Sequence, residues 1–250
     1  MGADNAQVSD FGQTFPPSPE SRRPEPARPD GSVLGPDAFI PLAEATGQIL
    51  PLGRWILRTA AAQAASWNRS RALDGRDALR VTVNVSAHQL RTTDFPDTVA
   101  DALDHARLDP DHLVLEATES ALIKGTDLAT KNLSATASLG VGLALDDFGT
   151  GYSSLSYLQS LPVTGLKIDR SFVWGLADSA RRLAILEGII GIGRSLALTV
   201  IAEGIETEDH CRALTRLGAH RGQGYLFGRP MPPDQATALT VVGRALTGQG

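Results

Sequence analysis

From Pro36 onward the hydrophobic and polar positions follow two rhythms. Alternation with a period of two reads as a strand, and a period near 3.6 reads as a helix. Two helices come first. One opens at Pro36, a favoured first helical residue, and runs to Thr46, with Gly47 as its stop. The second runs from Pro51 to about Asn68 and gathers Leu52, Trp55, Ile56, Ala60 and Trp67 on roughly one face. Strands and helices then take turns. Val81, Val83 and Val85 alternate with Thr82 and Asn84, and a helix over 96–106 follows. Leu113, Leu115 and Ala117 alternate with Val114 and Glu116, ahead of a helix over 119–139. A third strand over 141–147 leads into a Gly-rich turn and a short helix near 153–160. A fourth, over 165–169, precedes a long amphipathic helix over 181–195. Strand 198–203 is followed by helix 206–217, and strand 222–227 by helix 233–246. Six strands, each followed by a helical segment, imply a parallel sheet with right-handed crossovers.

The polar residues decide between an open sheet and a barrel. Each strand carries one within it or near its C-terminal end: Asn84, Glu116, Asp146 with Asp147, Lys167, Glu203 and Gln223. An open sheet gathers side chains from the few strands near its switch point, whereas a barrel mouth draws on every strand. The expected fold is therefore α/β, a TIM-like (β/α) barrel, incomplete with about six strands. Seven of the 15 prolines fall within the first 36 residues. Proline removes backbone donors and resists both helix and central strand. Residues 1–30 are thus expected to form a disordered Pro-rich arm that supplies no strand, and 31–247 the barrel domain.

Composition narrows the class. Lys and Arg number 23 against 28 Asp and Glu, a net charge of −5, which argues against a duplex nucleic-acid partner. One cysteine, Cys211, excludes an intrachain disulfide and fits a reducing compartment. The most apolar stretch, near 183–198, is broken by Glu187 and Arg194, so no membrane span is expected. The start of the chain lacks the basic and apolar regions of a signal peptide. The expectation is a soluble cytoplasmic protein.

Four strand-end carboxylates, Glu116, Asp146, Asp147 and Glu203, with Glu206 just beyond, would repel one another if left bare. Divalent cations resolve that conflict. Oxygen donors with one amide, from Asn84, suit Mg²⁺, Mn²⁺ or Ca²⁺ rather than zinc. Two hard cations about 3.5–4 Å apart are a common device for phosphodiester hydrolysis. Lys167 adds a positive donor for the attacking water or a phosphate oxygen. Each residue alone has a plainer reading. A strand-end Asn or Glu is ordinarily a cap, Asp146-Asp147 before Phe148-Gly149-Thr150-Gly151 fits a turn, and a lone lysine is a surface residue. Their joint occurrence on six successive strands favours a site. Histidine spacing for zinc, a serine-hydrolase elbow and a dinucleotide fingerprint are absent.

Several segments carry a family resemblance. They are Pro36-Asp37-Ala38-Phe39-Ile40-Pro41-Leu42-Ala43-Glu44, Val83-Asn84-Val85-Ser86, Leu115-Glu116-Ala117-Thr118-Glu119-Ser120 and the run from Asp146 to Ser154. Further along come Leu166-Lys167-Ile168-Asp169-Arg170-Ser171-Phe172, Ala202-Glu203-Gly204-Ile205-Glu206 and Gln223-Gly224-Tyr225-Leu226-Phe227-Gly228-Arg229-Pro230. Over about residues 31–246 the chain resembles the EAL family of cyclic-di-GMP phosphodiesterases. The resemblance implies a TIM-like barrel in which a two-metal centre of Mg²⁺ or Mn²⁺ activates water to open cyclic di-GMP to linear pGpG. It implies Asn84, Glu116, Asp146 and Asp147 as metal ligands and Lys167 as the water-orienting lysine. It further implies Glu203 as another metal-site carboxylate, Glu206 as the anchor of the Asp-Asp-Phe-Gly loop and Gln223 as a pocket residue. That loop is associated in the family with dimerisation, so a homodimer is a further expectation. The family's opening strands, with Glu-Ala-Leu, are absent, and the motif glutamate would fall near Ser21 in Ser21-Arg22-Arg23-Pro24-Glu25-Pro26. One metal ligand and two barrel strands are therefore expected to be missing and activity to be impaired. The alternatives are an inactive cyclic-di-GMP-binding or protein-interaction module, and a non-autonomous fragment of a longer signalling protein.

Overall fold

The computed structural model describes residues 6–8, 13–15, 35–123, 127–149, 155–176 and 179–242. In chain order the elements are β1 (Ala6–Val8), β2 (Gln13–Phe15), α1 (Pro36–Ala45), α2 (Ile49–Leu73), β3 (Val81–Asn84), α3 (Ala87–Leu90) and α4 (Phe95–Ala106). Then come β4 (Leu113–Thr118), α5 (Glu119–Ile123), α6 (Asp127–Ser138), β5 (Gly142–Phe148), α7 (Leu155–Ser160), β6 (Gly165–Ile168) and α8 (Arg170–Val173). The chain continues with α9 (Ala180–Ser195), β7 (Thr199–Ala202), α10 (Glu208–Leu217), β8 (Arg221–Gly222) and α11 (Pro233–Val242). The sheet runs β2-β1-β3-β4-β5-β6-β7-β8. Strands β3 to β8 are mutually parallel, as the alternation predicts. Among the described residues no pairing joins β8 to β2, so the six parallel strands form a half-barrel wrapped by helices. No helix is long and apolar enough to cross a membrane among those residues.

The reading of the first 30 residues needs correcting at its start. β1 pairs antiparallel with β2 on one side and with β3 on the other, Gln7 standing opposite Thr82. These two strands precede Pro16, so the prolines that resist pairing lie beyond them. The edge of β3 offers unpaired donors and acceptors, and a short hairpin satisfies them. Residues 16–34, including Ser21 and the expected boundary near 31, lie outside the described residues.

Helix α2 is longer than the pattern suggests. It begins at Ile49, so Pro51 falls in the first turn, where its missing N–H costs no intrahelical bond. Its buried side, Leu57, Ala60, Ala61, Ala64 and Ala65, belongs to the main core with α4. Further along the sheet α9 packs on β6 and β7 and buries Leu186, Ile189, Ile190 and Gly193. A Cβ at Gly193 would meet Val200 and Leu166, so this glycine sets how closely α9 approaches β6 and β7. All four residues of β6 are buried, as expected for a parallel strand covered on both faces.

Two further elements differ from expectation. The helix expected over 119–139 is seen as α5 and α6, with residues 124–126 between them outside the described set. The last strand ends at Gly222 rather than Phe227. The reason lies in Gly224, whose backbone packs against that of Ile205 so closely that a Cβ would collide. Leu226 donates its N–H to the Ile205 carbonyl at 3.0 Å, and Phe227 and Gly228 bond back to Gly224, turning the chain.

Candidate active site

Strand register delivers the polar residues to one end of the sheet. Asn84 is the ladder partner of Glu116. Glu116 stands opposite Ala144, two residues before Asp146 and therefore on the same face of the pleat. On the far side Lys167 pairs with Ile201, and Glu203 follows the end of β7. Between β5 and β6 the register slips: Leu145 faces Leu166, yet Phe148 faces Ile168. The extra residue is a β-bulge, and Asp147 within it takes a φ of +56°. Asp147 then donates its backbone N–H to Asp146 Oδ1 at 2.9 Å.

Lys167 is the hub. Its side chain is 1% exposed, and its ammonium Nζ lies 2.8 Å from Glu116 Oε2, 3.3 Å from Asp146 Oδ1 and 2.5 Å from Glu203 Oε1. Burial alone would pull the lysine's pKa down, but the charges of Glu116, Glu203 and Asp146 hold it well above the usual range. Lys167 therefore keeps its proton. Burial pushes Glu116 up to about 7 against the pull of Lys167. Burial, countered by Lys167 and reinforced by Asp146, also raises Glu203. Asp147 is raised by burial and by its neighbour Asp146. The cluster thus concentrates more negative charge than its surroundings solvate.

Of the expected site residues, Glu116, Asp146, Lys167 and Glu203 are in direct contact. Asn84 joins them through its ladder pairing, and Asp147 through the bulge. Gln223 is half-buried and bound by its backbone, N–H to Ala202 and carbonyl to Ile205. Glu206 is exposed on the turn before α10. The hydrogen bond on the Asp-Asp-Phe-Gly turn comes instead from Glu119, whose Oε2 accepts the Gly149 N–H at 3.3 Å. Glu119 is buried, and its Oε1 has no hydrogen-bond partner among the described residues. Among the described residues the hydrogen bond to this turn is thus made by Glu119. Gly149, at φ +95°, packs on the Phe172 ring, which would clash with any Cβ there. Asn84, Glu116, Asp146 and Asp147 are hard oxygen donors of the right kind for a divalent cation. They are short in number: among the described residues no three His, Cys, Asp or Glu side chains are arranged to hold one. Three of the site's carboxylates already turn to Lys167. The donors described do not fit a complete two-ion cage.

The family model of the EAL domain matches residues 26–230. The chain belongs to the EAL domain family. Over 211 residues this EAL domain is 44% identical to the bifunctional diguanylate cyclase/cyclic di-GMP phosphodiesterase MucR of Pseudomonas aeruginosa, covering 84% of the chain and 30% of MucR. It is 40% identical over 207 residues to the cyclic di-GMP phosphodiesterase PA2567 of the same species, covering 83% of the chain and 34% of that protein. The EAL domain thus spans about a third of the length of these curated relatives. The structure of the MucR phosphodiesterase in complex with c-di-GMP superposes with a TM-score of 0.79 at 39% identity, covering 94% of this chain and 92% of that one. A manganese/cy-diGMP complex of Klebsiella pneumoniae BlrP1 gives a TM-score of 0.68 at 26% identity, over 90% of this chain and 56% of BlrP1.

Proposed function

We propose that this domain binds cyclic di-GMP across the C-terminal ends of β3 to β8 and hydrolyses one of its phosphodiesters to linear pGpG. The rate is about 10²-fold or more below that of a relative carrying the Glu-Ala-Leu strand, since even partners of metal ligands are worth about 10–100-fold. The observation that carries the reading is the buried contact of Lys167 with Glu116, Asp146 and Glu203 at the strand ends. In such a hydrolysis water adds to phosphorus, the P–O3′ bond breaks and a proton reaches the leaving oxygen. Lys167 stays charged and serves as a donor that orients an oxygen. Glu116, 2.8 Å from the Lys167 ammonium, holds that donor in place. The partial donor set holds Mg²⁺ or Mn²⁺ only weakly, with Asn84, Glu116, Asp146 and Asp147 as its ligands. The lone cysteine agrees with a cytoplasmic location. A homodimer is part of the same reading.

A second reading, an inactive cyclic-di-GMP-binding module, is favoured by the incomplete cation cage among the described residues. The deciding experiment measures pGpG formation with saturating Mn²⁺ beside the MucR domain. Slow turnover, lost in Asp146→Asn and Lys167→Ala, is expected. Turnover equal to MucR's would overturn the impairment. Tight nucleotide binding without turnover would establish the binding module, and failure to bind would overturn both readings. A chain that does not fold alone would point to a fragment of a longer protein.

A further inference from the structure

The turn that carries Glu203 is tied on several sides. Glu203 donates its N–H to the Ile168 carbonyl at 3.0 Å, which fixes the start of the turn on β6. Ile205 donates to the Gln223 carbonyl and accepts from Leu226, each at 3.0 Å, which fixes its end. Between them Gly204 has a φ of +70°. Its carbonyl accepts the indole N–H of Trp174 at 3.1 Å. A Cβ at Gly204 would collide with Arg170 and crowd the same indole nitrogen, so the turn fits against this pair only as glycine.

Trp174 is an unusual residue to find at 40% exposure unless something holds it. Its backbone N–H donates to the Arg170 carbonyl at 2.9 Å, and its own carbonyl accepts from the Arg182 guanidinium at 3.0 Å. The Arg170 guanidinium lies 5.0 Å from the centre of the indole ring, within cation–π range. The residue is therefore held by Arg182 of α9 at its backbone and by Arg170 of α8 at its ring, while the indole N–H grips the neighbouring turn. The carbonyl it grips belongs to the residue next to Glu203, whose carboxylate lies 2.5 Å from the Lys167 ammonium.

We propose that Trp174 is a positioning residue that acts through Glu203. By holding Gly204 it keeps the Glu203 carboxylate on Lys167 and so keeps the Lys167 ammonium centred for ligand. Without the indole N–H the middle of the turn relaxes, Glu203 swings toward solvent, and the buried lysine is left with Glu116 and Asp146. A net hydrogen bond is worth about 0.5–1.5 kcal/mol, which corresponds to a roughly 2- to 12-fold loss of ligand affinity.

The test uses Trp174→Phe, which keeps an aromatic ring beside Arg170 and removes the N–H. Amide exchange at Glu203 and Ile205 is expected to accelerate, and cyclic-di-GMP affinity to fall by the factor above. In a Glu203→Ala background the same substitution should leave affinity unchanged, because the route through Glu203 is already cut. Equal loss in both backgrounds, or unchanged exchange at both amides, would overturn the proposal. Independently of that variant's folding, the wild-type chain can be labelled with 5-fluorotryptophan, which gives one ¹⁹F signal for each of its three tryptophans. The Trp174 signal should move on cyclic-di-GMP addition in wild type and stay still in Glu203→Ala; movement in both would count against coupling. The ligand arms rest on the cyclic-di-GMP reading. A wild-type chain that fails to bind nucleotide overturns that reading, while the exchange arm still decides whether Trp174 holds the turn.

Discussion

The two flanks of the site are built differently. On the β5–β7 side, the strand-end residues sit on parallel ladders interrupted once, by the bulge in β5, and their side chains meet around a lysine that is 1% exposed. On the β3 side, the ladder ends in a two-strand hairpin of three residues each, paired antiparallel. The first flank is over-determined, since pairing, burial and charge all demand the same arrangement. The second is satisfied as backbone, but the antiparallel hairpin brings no carboxylate from residues 6–8 or 13–15. A sheet edge can thus be closed by any short strand, whereas a chemical site needs a particular residue at a particular register.

The contrast is most severely tested at Lys167. Replacing it by Met leaves Glu116, Asp146 and Glu203 clustered without their counter-charge, and the expected loss is about 3–5 kcal/mol in urea unfolding. That loss should be smaller at pH 5 than at pH 8, because the orphaned carboxyls can then take protons. In the wild-type chain Glu116 itself has the same sign. Its native pKa of about 7 exceeds the ordinary 4.5, so it favours the folded state fully below 4.5. That contribution fades as the pH rises through about 7. Unfolding free energies of wild type and Glu116→Gln across this range check it: their difference should change in that window and be flat above it.

Next in size is the loop anchor. Glu119→Ala should cost about 1.5–3 kcal/mol, the range for hydrogen bonds to charged groups, and speed exchange at the Gly149 amide. Glu206→Ala should leave that amide unchanged; the opposite result would restore the anchoring role to Glu206. On the hairpin side the expected effect is smaller. Val85 donates to the Glu116 carbonyl on β4, so by alternation the Thr82 backbone points to β1. Gln7→Pro removes one donor to it, and about 1 kcal/mol of local protection at Thr82 should disappear. Unaltered exchange there would show that the hairpin does not seal the edge.

The smallest effect is expected at the opposite ends of the strands, where Arg80 and Asp111 lie just before β3 and β4. Their 2.7 Å ion pair is largely exposed, and the hydrogen bond from Arg80 lowers the aspartate's pKa below 3.8. Its stabilisation is present above 3.8 and is lost as the pH falls through the lowered native value. Asp111→Asn should cost no more than about 0.5 kcal/mol at neutral pH, as measured by thermal unfolding.

The alternation of apolar residues made the parallel sheet legible, because each buried strand has to repeat the same inside–outside logic. The strand-end residues Asn84, Glu116, Asp146, Lys167 and Glu203 were legible for the same reason. Other features were not. β1 and β2 are three residues each, too short for a period to register, and the prolines after them dominate the composition of that region. Glu119 was hidden because it opens α5 just past the end of β4, outside the strand alternation that marks Glu116, and its partner is a backbone N–H that no side-chain pattern reveals. The signal available was the pair of acids three residues apart across a strand-to-helix junction. The grip of Trp174 on Gly204 joins two loops, and nothing local in either announces the other.

The bulge in β5 has a consequence for anyone altering this chain. A pleated strand assigns residues to its two sides by odd and even number, and the extra residue between Leu145 and Phe148 changes that parity once. Upstream and downstream of it, opposite parities face the same side. Deleting Asp146 or Asp147 would leave the hydrophobic composition of β5 intact and yet turn either the remaining aspartate or Phe148 the wrong way. Substitutions along β5 should therefore be tolerated according to size and polarity, but changes in its length should not be tolerated at all.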